Sequence, residues 1–251
     1  MKIICLVPSI TETLIASGVE LIGRSRFCIH PKPAVESIPK VGGTKDVDWD
    51  KVSLLKPDLV IFDKEENTLE MANSCPFDYI ALHIQSIHDV AKELARLANK
   101  INNSNLTSIA HRWEEIATAE FFKSKINEIP GVIEWWKKPE KQSQLIYLIW
   151  KDPWMAAGEK IFIQSMLDHL GYKNQRVRFD HKYPQISLQD YPPEKTLLLF
   201  SSEPFPFERY RSELLSLGYS CALVDGEKYS WYGIRSLEFL EKQRSLSRLH
   251  I

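Results

Sequence analysis

The chain has 251 residues, 44% of them hydrophobic, and a formal net charge of −1, so it is long enough for two domains of ordinary size. The balanced charge excludes the strongly basic surface of most nucleic-acid-binding proteins. No apolar run approaches the length of a membrane-spanning helix, so we expect no membrane insertion. Met1 and Lys2 lead directly into an apolar segment at 3–7. The sequence as written therefore predicts a cytoplasmic protein, or a periplasmic one if an export signal has been trimmed.

Strand and helix patterns alternate through the first part of the chain. Residues 3–7 predict a strand, and Ser9 with Glu12 three residues later predicts the capping box of a following helix. Residues 21–27 predict a second strand, which ends in the loop 28–31. This alternation is typical of α/β domains with parallel sheets.

The segment 41–67 predicts a helix followed by a buried strand. Asp48 is placed to cap the helix, which should stop before Pro57 because proline disfavours the helical conformation of the residue before it. The apolar run 59–62 predicts a strand covered on both faces, and it leads directly into the polar residues 63–67. Ligands of open α/β sheets bind beyond the carboxyl ends of the strands, so these polar residues indicate a ligand site.

The second half of the chain repeats the plan of the first half. The predicted elements after residue 67 are strands at 78–84, 144–150, 196–200 and 221–224 and helices at 86–101, 159–170, 207–217 and 233–246. Each half has a strand, a loop and a helix, and later a proline break before an apolar strand. The repeat predicts two α/β lobes of similar build.

A longer amphipathic segment separates the two halves. Its apolar residues recur at helical spacing from Leu106 to Phe121. We therefore predict an α/β fold of two similar lobes with central sheets, at 1–102 and 131–251, joined by a long rigid backbone helix at 103–130. The ligand cleft is expected between the lobes.

Four stretches, taken in order, resemble one family of proteins. They are Leu-Val-Pro-Ser-Ile-Thr-Glu at 6–12, Lys-Pro-Asp-Leu-Val-Ile at 56–61, Asp-Pro-Trp-Met at 152–155 and Ser-Trp-Tyr-Gly-Ile-Arg at 230–235. Together they span nearly the whole chain and resemble the substrate-binding proteins with a helical backbone, class III. The most similar branch is the vitamin B12 (cobalamin)-binding receptors of ABC importers.

This resemblance implies capture and delivery of a ligand, with no chemistry on the ligand and no required cofactor. The implied ligand is cobalamin, another corrinoid or a metal chelate, and the implied partner is an ABC permease. We expect a monomer that is not an enzyme. The implied cleft residues are Phe27, the loop to His30 and residues 63–67, including Asp63, Glu65 and Glu66, in the first lobe, and Asp152–Met155, Tyr183 and Trp231 in the second.

The resemblance also implies one acidic residue on each lobe that docks arginines of the permease. The matching positions in this chain are Asp50 and Gln189. Asp50 keeps the carboxylate, but a glutamine cannot form the charge-assisted pair. Docking to a permease therefore depends on Asp50 alone, and the partner stays open.

Cys28 and His30 place a thiol and an imidazole on one loop, and both are ligands suited to zinc, copper or iron. Glu65 and Glu66 could complete the set and hold a bare metal ion. The alternatives are a buried cysteine beside a histidine that caps a turn, and two acids that begin the next helix. The histidines at 83, 88 and 111 are expected to be structural or to lie on the surface.

Four aromatic residues in predicted loops, Trp154, Tyr183, Trp231 and Tyr232, are either satellite core or flat walls for a macrocycle. Arg235 either binds an anionic group of the ligand or pairs with a carboxylate such as Asp225.

Motifs of common catalytic sites are absent from the sequence. It has no G-x-S-x-G, no H-E-x-x-H and no phosphate-binding glycine loop. Three hypotheses follow: a receptor for a corrinoid or metal chelate, a cytoplasmic metal-ion-binding protein, and an enzyme that acts on a cofactor in the same cleft.

Overall fold

A computed structural model describes residues 1–119 and 125–248. The chain folds into two compact units. Unit 1 consists of Met1–Thr118 and Trp231–Glu238, and unit 2 consists of the other described residues. Each unit has its own sheet, which confirms the predicted α/β class. Among the described residues, no helix combines the length and apolar composition that a bilayer span requires.

Unit 1 is built around a parallel four-stranded sheet with the order β2-β1-β3-β4. The strands are β1 (Ile3–Cys5), β2 (Leu21–Arg24), β3 (Leu59–Asp63) and β4 (Tyr79–Leu82). The helices are α1 (Pro8–Ala16), α2 (Lys32–Glu36), α3 (Trp49–Leu55), α4 (Leu69–Asn73), α5 (Ile87–Ile101) and α6 (Ser104–Ala117). All five residues of β3 are buried, as predicted for a strand covered on both faces.

Two helix starts in unit 1 test the local predictions. Asp48 caps α3 by accepting a hydrogen bond from the backbone N–H of Lys51 at 3.1 Å, as predicted. The prediction of a capping box at Ser9 and Glu12 is wrong. Helix α1 begins at Pro8, two residues earlier than a cap at Ser9 predicts, and no side chain caps it. Proline suits the first helical position because an N–H there would have no partner within the helix and because its fixed φ matches the helix.

The helix α6 is shorter than the predicted connector. Asn103 caps it by accepting from the backbone N–H of Leu106 at 2.7 Å, and it ends at Ala117. Residues 125–130 are not helical, and Phe121 lies outside the described residues. A rigid connecting role and the lobe bounds at 102 and 131 stay predictions.

Unit 2 has a five-stranded mixed sheet with the order β5-β9-β8-β6-β7, in which the three central strands are parallel. The strands are β5 (Val132–Lys137), β6 (Gln144–Trp150), β7 (Met155–Ala156), β8 (Thr196–Ser201) and β9 (Ser220–Val224). Its helices are α7 (Phe162–Leu167), α8 (Arg211–Ser216) and α9 (Gly226–Ser230), with a π-helical turn at Asp168–Tyr172 and 3₁₀ turns at Leu188–Asp190 and Phe207–Tyr210. The last helix, α10 (Ile234–Arg248), begins in unit 1 and belongs to unit 2 from residue 239 onwards.

The core of unit 2 confirms the predicted strands at 144–150, 196–200 and 221–224. The sheet also contains an edge strand, β5. This strand was not predicted, because most residues around it are polar. Trp136 of β5 is buried against Phe200 of β8, with ring centroids 5.6 Å apart. One face of β5 therefore belongs to the core, although charged residues occupy other positions of the strand.

Candidate ligand-binding site

The carboxyl ends of the strands of unit 1 carry most of the predicted first-lobe residues. The loop with Phe27 and His30 follows β2, Asp63 is the last residue of β3, and His83 follows β4. The three strand ends lie at one edge because the strands are parallel. This is the edge at which open α/β sheets bind ligands.

The loop after β2 exposes apolar side chains to solvent. Phe27 and Ile29 are each 49% exposed. The buried Arg24 fixes the loop from beneath, because its guanidinium donates to the carbonyl oxygens of Cys28 at 3.0 Å and Val35 at 2.8 Å. A rigid loop that exposes two large apolar side chains is typical of a binding surface.

Cys28 and His30 have separate environments. The thiol of Cys28 is buried, accepts a hydrogen bond from Thr11 Oγ1 at 3.1 Å and contacts Ser25 Oγ at 3.1 Å. Burial raises the pKa of this thiol, which opposes the thiolate that metal binding requires. The prediction of a buried cysteine is confirmed. Among residues 1–119 and 125–248, no three His, Cys, Asp or Glu side chains form a group that could hold a metal ion.

The imidazole of His30 contacts Trp231. The ring centroids are 5.4 Å apart and the rings meet edge to face at 69°. Trp231 belongs to unit 1, so the prediction that it lines the second lobe is wrong. The chain returns to the first unit after leaving it at residue 118, and no local pattern in the sequence encodes that return.

Arg235 is held by a carboxylate of α1. Its Nη2 and Nε lie 2.6 and 3.0 Å from the two carboxylate oxygens of Glu12, and its guanidinium lies 5.5 Å from the centre of the Trp231 ring. The predicted alternative partner, Asp225, instead pairs with Lys228 at 2.6 Å. The carboxylate of Glu12 offsets the charge of this guanidinium, which weakens its attraction for an anionic ligand group.

The segment after Trp231 is anchored by residues of α1 and α6. The backbone N–H of Ile234 donates to Thr13 Oγ1 at 2.9 Å, and Trp113 Nε1 donates to the carbonyl of Gly233 at 3.2 Å. Gly233 has φ +135°, and a Cβ there would overlap Thr13 Oγ1. Glycine is therefore required at this close approach.

Asp63 and Tyr232 lie inside unit 1, beneath the predicted ligand surface. Asp63 is 0% exposed and Tyr232 is 4% exposed. Asp63 Oδ1 accepts from the backbone N–H of Glu65 at 2.8 Å, and the Tyr232 hydroxyl also interacts with its carboxyl. Burial raises the pKa of Asp63 to about 6. Both were predicted as ligand contacts, but their burial indicates that they support the surface from below.

Glu65, in the turn after Asp63, contacts two residues that follow β4. Glu65 Oε1 lies 2.9 Å from Gln85 Nε2 and 3.2 Å from His83 Nε2. Helix α4 starts only at Leu69, after a Thr68 cap, so the alternative that the glutamates begin a helix is wrong. His83 was expected to be merely structural or on the surface. Its position directly after a strand that pairs with β3 could have indicated its place at this edge.

Unit 2 exposes aromatic rings at the carboxyl ends of β6 and β8. Trp150, the last residue of β6, is 41% exposed, and its ring centroid lies 5.2 Å from that of Phe205, which follows β8. Phe205 in turn lies 5.3 Å from Tyr210. We name Trp150, Phe205 and Tyr210 the aromatic patch. None of the three was predicted as a site residue, although an aromatic residue at a strand end is a usable indication.

A buried cation lies beside the aromatic patch. Lys151 Nζ is 2.6 Å from a carboxylate oxygen of Asp152 and 3.0 Å from one of Glu213, and it lies 5.1 Å from the centre of the Tyr210 ring. Both acids are largely exposed. Two carboxylates share one ammonium group, so these three side chains together carry a net negative charge.

The predicted second-lobe residues divide into core and surface. Trp154 stacks on Phe207, with centroids 6.4 Å apart and an interplanar angle of 2°, so it is satellite core of unit 2. Tyr183 is 46% exposed, in the loop that pairs with β7 through Gln185. The proposed docking residues are also exposed, Asp50 in the first turn of α3 and Gln189 in a 3₁₀ turn.

A profile described as "Periplasmic binding protein" matches residues 3–189 of the chain. The chain belongs to the periplasmic binding protein family. This confirms the resemblance to substrate-binding proteins that the four sequence motifs indicate, and it places the protein in a family of ligand receptors. No curated protein matches the chain.

Solved structures of this family share the fold across nearly the whole chain. The periplasmic vitamin B12 binding protein BtuF of Vibrio cholerae has a TM-score of 0.67 and 17% identity, with 99% of this chain and 96% of that chain covered. An ABC transporter substrate-binding protein from Listeria monocytogenes has a TM-score of 0.71 and 16% identity, with 98% of each chain covered. S. aureus IsdE, complexed with heme, has a TM-score of 0.68 and 12% identity, again with 98% of each covered.

Proposed function

We propose that this family member is a receptor that binds a corrinoid or a closely related metal chelate and releases it unchanged. The observation that carries the proposal is the exposure of large apolar rings at the carboxyl ends of parallel strands in both units. Receptors of flat macrocycles need such surfaces, because ring stacking and apolar burial supply most of the binding free energy. The protein itself needs no resident cofactor for this role.

The charges around these rings favour a ligand without carboxylates. In unit 2, Asp152 and Glu213 border the aromatic patch and share the single ammonium group of Lys151. In unit 1, Glu65 and Glu66 lie on the turn beside β4. A porphyrin propionate would meet a like charge at either place, whereas an amide side chain of a corrinoid can donate a hydrogen bond to the carboxylate there. The solved relatives include receptors of both ligand classes.

Titration of the purified protein with cyanocobalamin, followed by calorimetry and by absorbance, tests the proposal. We expect saturable binding of one ligand without time-dependent spectral change. Trp150→Ala and Trp231→Ala should weaken binding about tenfold each, by loss of ring stacking. The matched control is Ile133→Ala, an exposed apolar residue of β5 outside the site.

The same titration also distinguishes the alternatives. Conversion of the cobalamin spectrum over time would indicate an enzyme. Tighter binding of hemin than of cobalamin would contradict the charge argument, and binding of neither would reject the proposed ligand class.

A permease partner and the compartment are part of the proposal. The exposed Asp50 is the residue proposed to dock such a partner, and Gln189 offers no second carboxylate. Fractionation of the native host, with an antibody against this protein, would distinguish the periplasmic compartment named in the family description from the cytoplasm expected for the sequence as written. Loss of co-purification with a permease in Asp50→Asn, but not in Asp58→Asn, would support docking through α3.

A further inference from the structure

Several side chains of unit 1 restrain the position of Trp231. The Trp231 ring lies 5.4 Å from the imidazole of His30 and 5.5 Å from the guanidinium of Arg235. Arg235 is in turn fixed by the two hydrogen bonds to Glu12 of α1. Tyr232, the next residue after Trp231, is buried close enough to the carboxyl of Asp63, at the end of β3, for the two groups to interact electrostatically.

The contacts of Arg235 and of Tyr232 restrain the segment that carries the indole of Trp231. The guanidinium supports the ring directly, while the burial of Tyr232 near the carboxyl of Asp63 restrains the residue next to it. The backbone of Trp231 has one more restraint, because its carbonyl accepts from Ser236 Oγ at 2.8 Å. A half-buried tryptophan held by so many contacts presents one fixed face, and a fixed face lowers the entropy cost of binding a rigid ligand.

We infer that Glu12 and Asp63 are positioning residues of the ligand site, acting on Trp231 through Arg235 and Tyr232. Neither residue contacts the ligand in this assignment. The inference rests on the proposed receptor function only where ligand affinity is measured. The orientation of the Trp231 ring can be measured on the protein without ligand.

Fluorine NMR of the full chain labelled with 5-fluorotryptophan tests the inference. The chain has 7 tryptophans, and Trp231→Phe assigns the resonance of interest. In the wild-type protein this resonance should be sharp and displaced from that of free 5-fluorotryptophan. Glu12→Gln, which removes the charge of the pair, and Tyr232→Phe, which removes only the hydroxyl, should each broaden it and move it towards the free position.

The same variants are then titrated with cyanocobalamin. Each should weaken binding about fivefold, since a charge-assisted contact is replaced by a neutral one or lost. Asp63→Asn keeps an acceptor for the Tyr232 hydroxyl and should keep the resonance closer to the wild-type position than Tyr232→Phe does. The control is Glu93→Gln, which breaks the Glu93–Arg96 pair on α5 and should change neither the resonance nor the affinity.

The outcomes separate positioning from a merely structural role. An unchanged Trp231 resonance in Glu12→Gln and Tyr232→Phe, with only a lower melting temperature, would overturn the inference. If Glu12→Gln fails to fold, Arg235→Lys keeps the charge but removes the bidentate geometry and serves in its place. If no variant and not even the wild-type protein binds cobalamin, the proposed ligand is wrong, but the resonances still decide whether the two residues position Trp231.

Discussion

The two units expose aromatic side chains by different means. In unit 2, the rings of the aromatic patch pack on one another and on the adjacent core, within about sixty residues of sequence. In unit 1, Trp231 is joined to Glu12 and His30 by contacts that span about two hundred residues. A surface built from local packing tolerates the loss of one member, whereas a surface built from distant contacts depends on each anchor. The following predictions test this difference.

Gly233→Ala should have the largest effect on stability. The added Cβ would overlap Thr13 Oγ1, and the φ of +135° is one that L-residues rarely adopt. We expect a loss of about 3 to 4 kcal/mol in the free energy of unfolding, measured by urea denaturation. The matched control is Gly218→Ala in unit 2, with φ +84° and open space around the added Cβ, which should cost only about 1 kcal/mol. Equal losses at both positions would contradict the special role of the anchor.

The buried carboxyl of Asp63 predicts a pH dependence of stability. Burial raises the pKa of Asp63 in the folded state to about 6 from 3.8, so between these values the folded protein holds a proton that the unfolded chain has released. The contribution of Asp63 to the free energy of unfolding should therefore fall by about 2 to 3 kcal/mol as the pH rises from about 4 to about 6, and stay constant above.

The measurement for Asp63 is urea denaturation of the wild-type protein and Asp63→Asn at intervals from pH 4 to pH 8. The asparagine variant lacks this titration, so the difference between the two curves isolates it. A difference that does not change with pH would show that Asp63 is ionised in the folded state as easily as in the unfolded chain.

Loss of one ring from the aromatic patch should change binding more than stability. Tyr210→Ala removes a half-exposed ring, so we expect about tenfold weaker binding of cyanocobalamin and a free energy of unfolding within about 1 kcal/mol of the wild-type value. Calorimetry and urea denaturation measure the two effects. Loss of folding in this variant would mean that the patch, like the Trp231 contacts, is a structural anchor.

Neutralising the rim of the patch should have the smallest effect. Asp152→Asn combined with Glu213→Gln should tighten hemin binding about threefold and leave cobalamin binding nearly unchanged, because only hemin carries carboxylates. Competition titration with both ligands measures the ratio. Glu140→Gln, an exposed acid of the same unit, is the control and should not change this ratio.

The comparison also shows which parts of the site were predictable. The loop of Phe27 and His30 follows from its position after a predicted strand, and the turn at 63–67 follows from the charge after β3. Trp150 was missed because a tryptophan at the end of an apolar strand looks like core. Glu12 was interpreted as a helix-capping residue because its spacing from Ser9 fits that motif equally well.

The sequence by itself determined the α/β class, the central strands of both sheets and the family. Hydrophobic periodicity and turn residues encode local structure, and the four motifs are short stretches that can be recognised without the structure. Only the tertiary structure decided that Trp231 belongs to unit 1, that Arg235 pairs with Glu12, and that Asp63 and Tyr232 are buried. These are contacts between residues about 170 to 220 positions apart, and no local pattern records which distant side chain completes a given hydrogen bond.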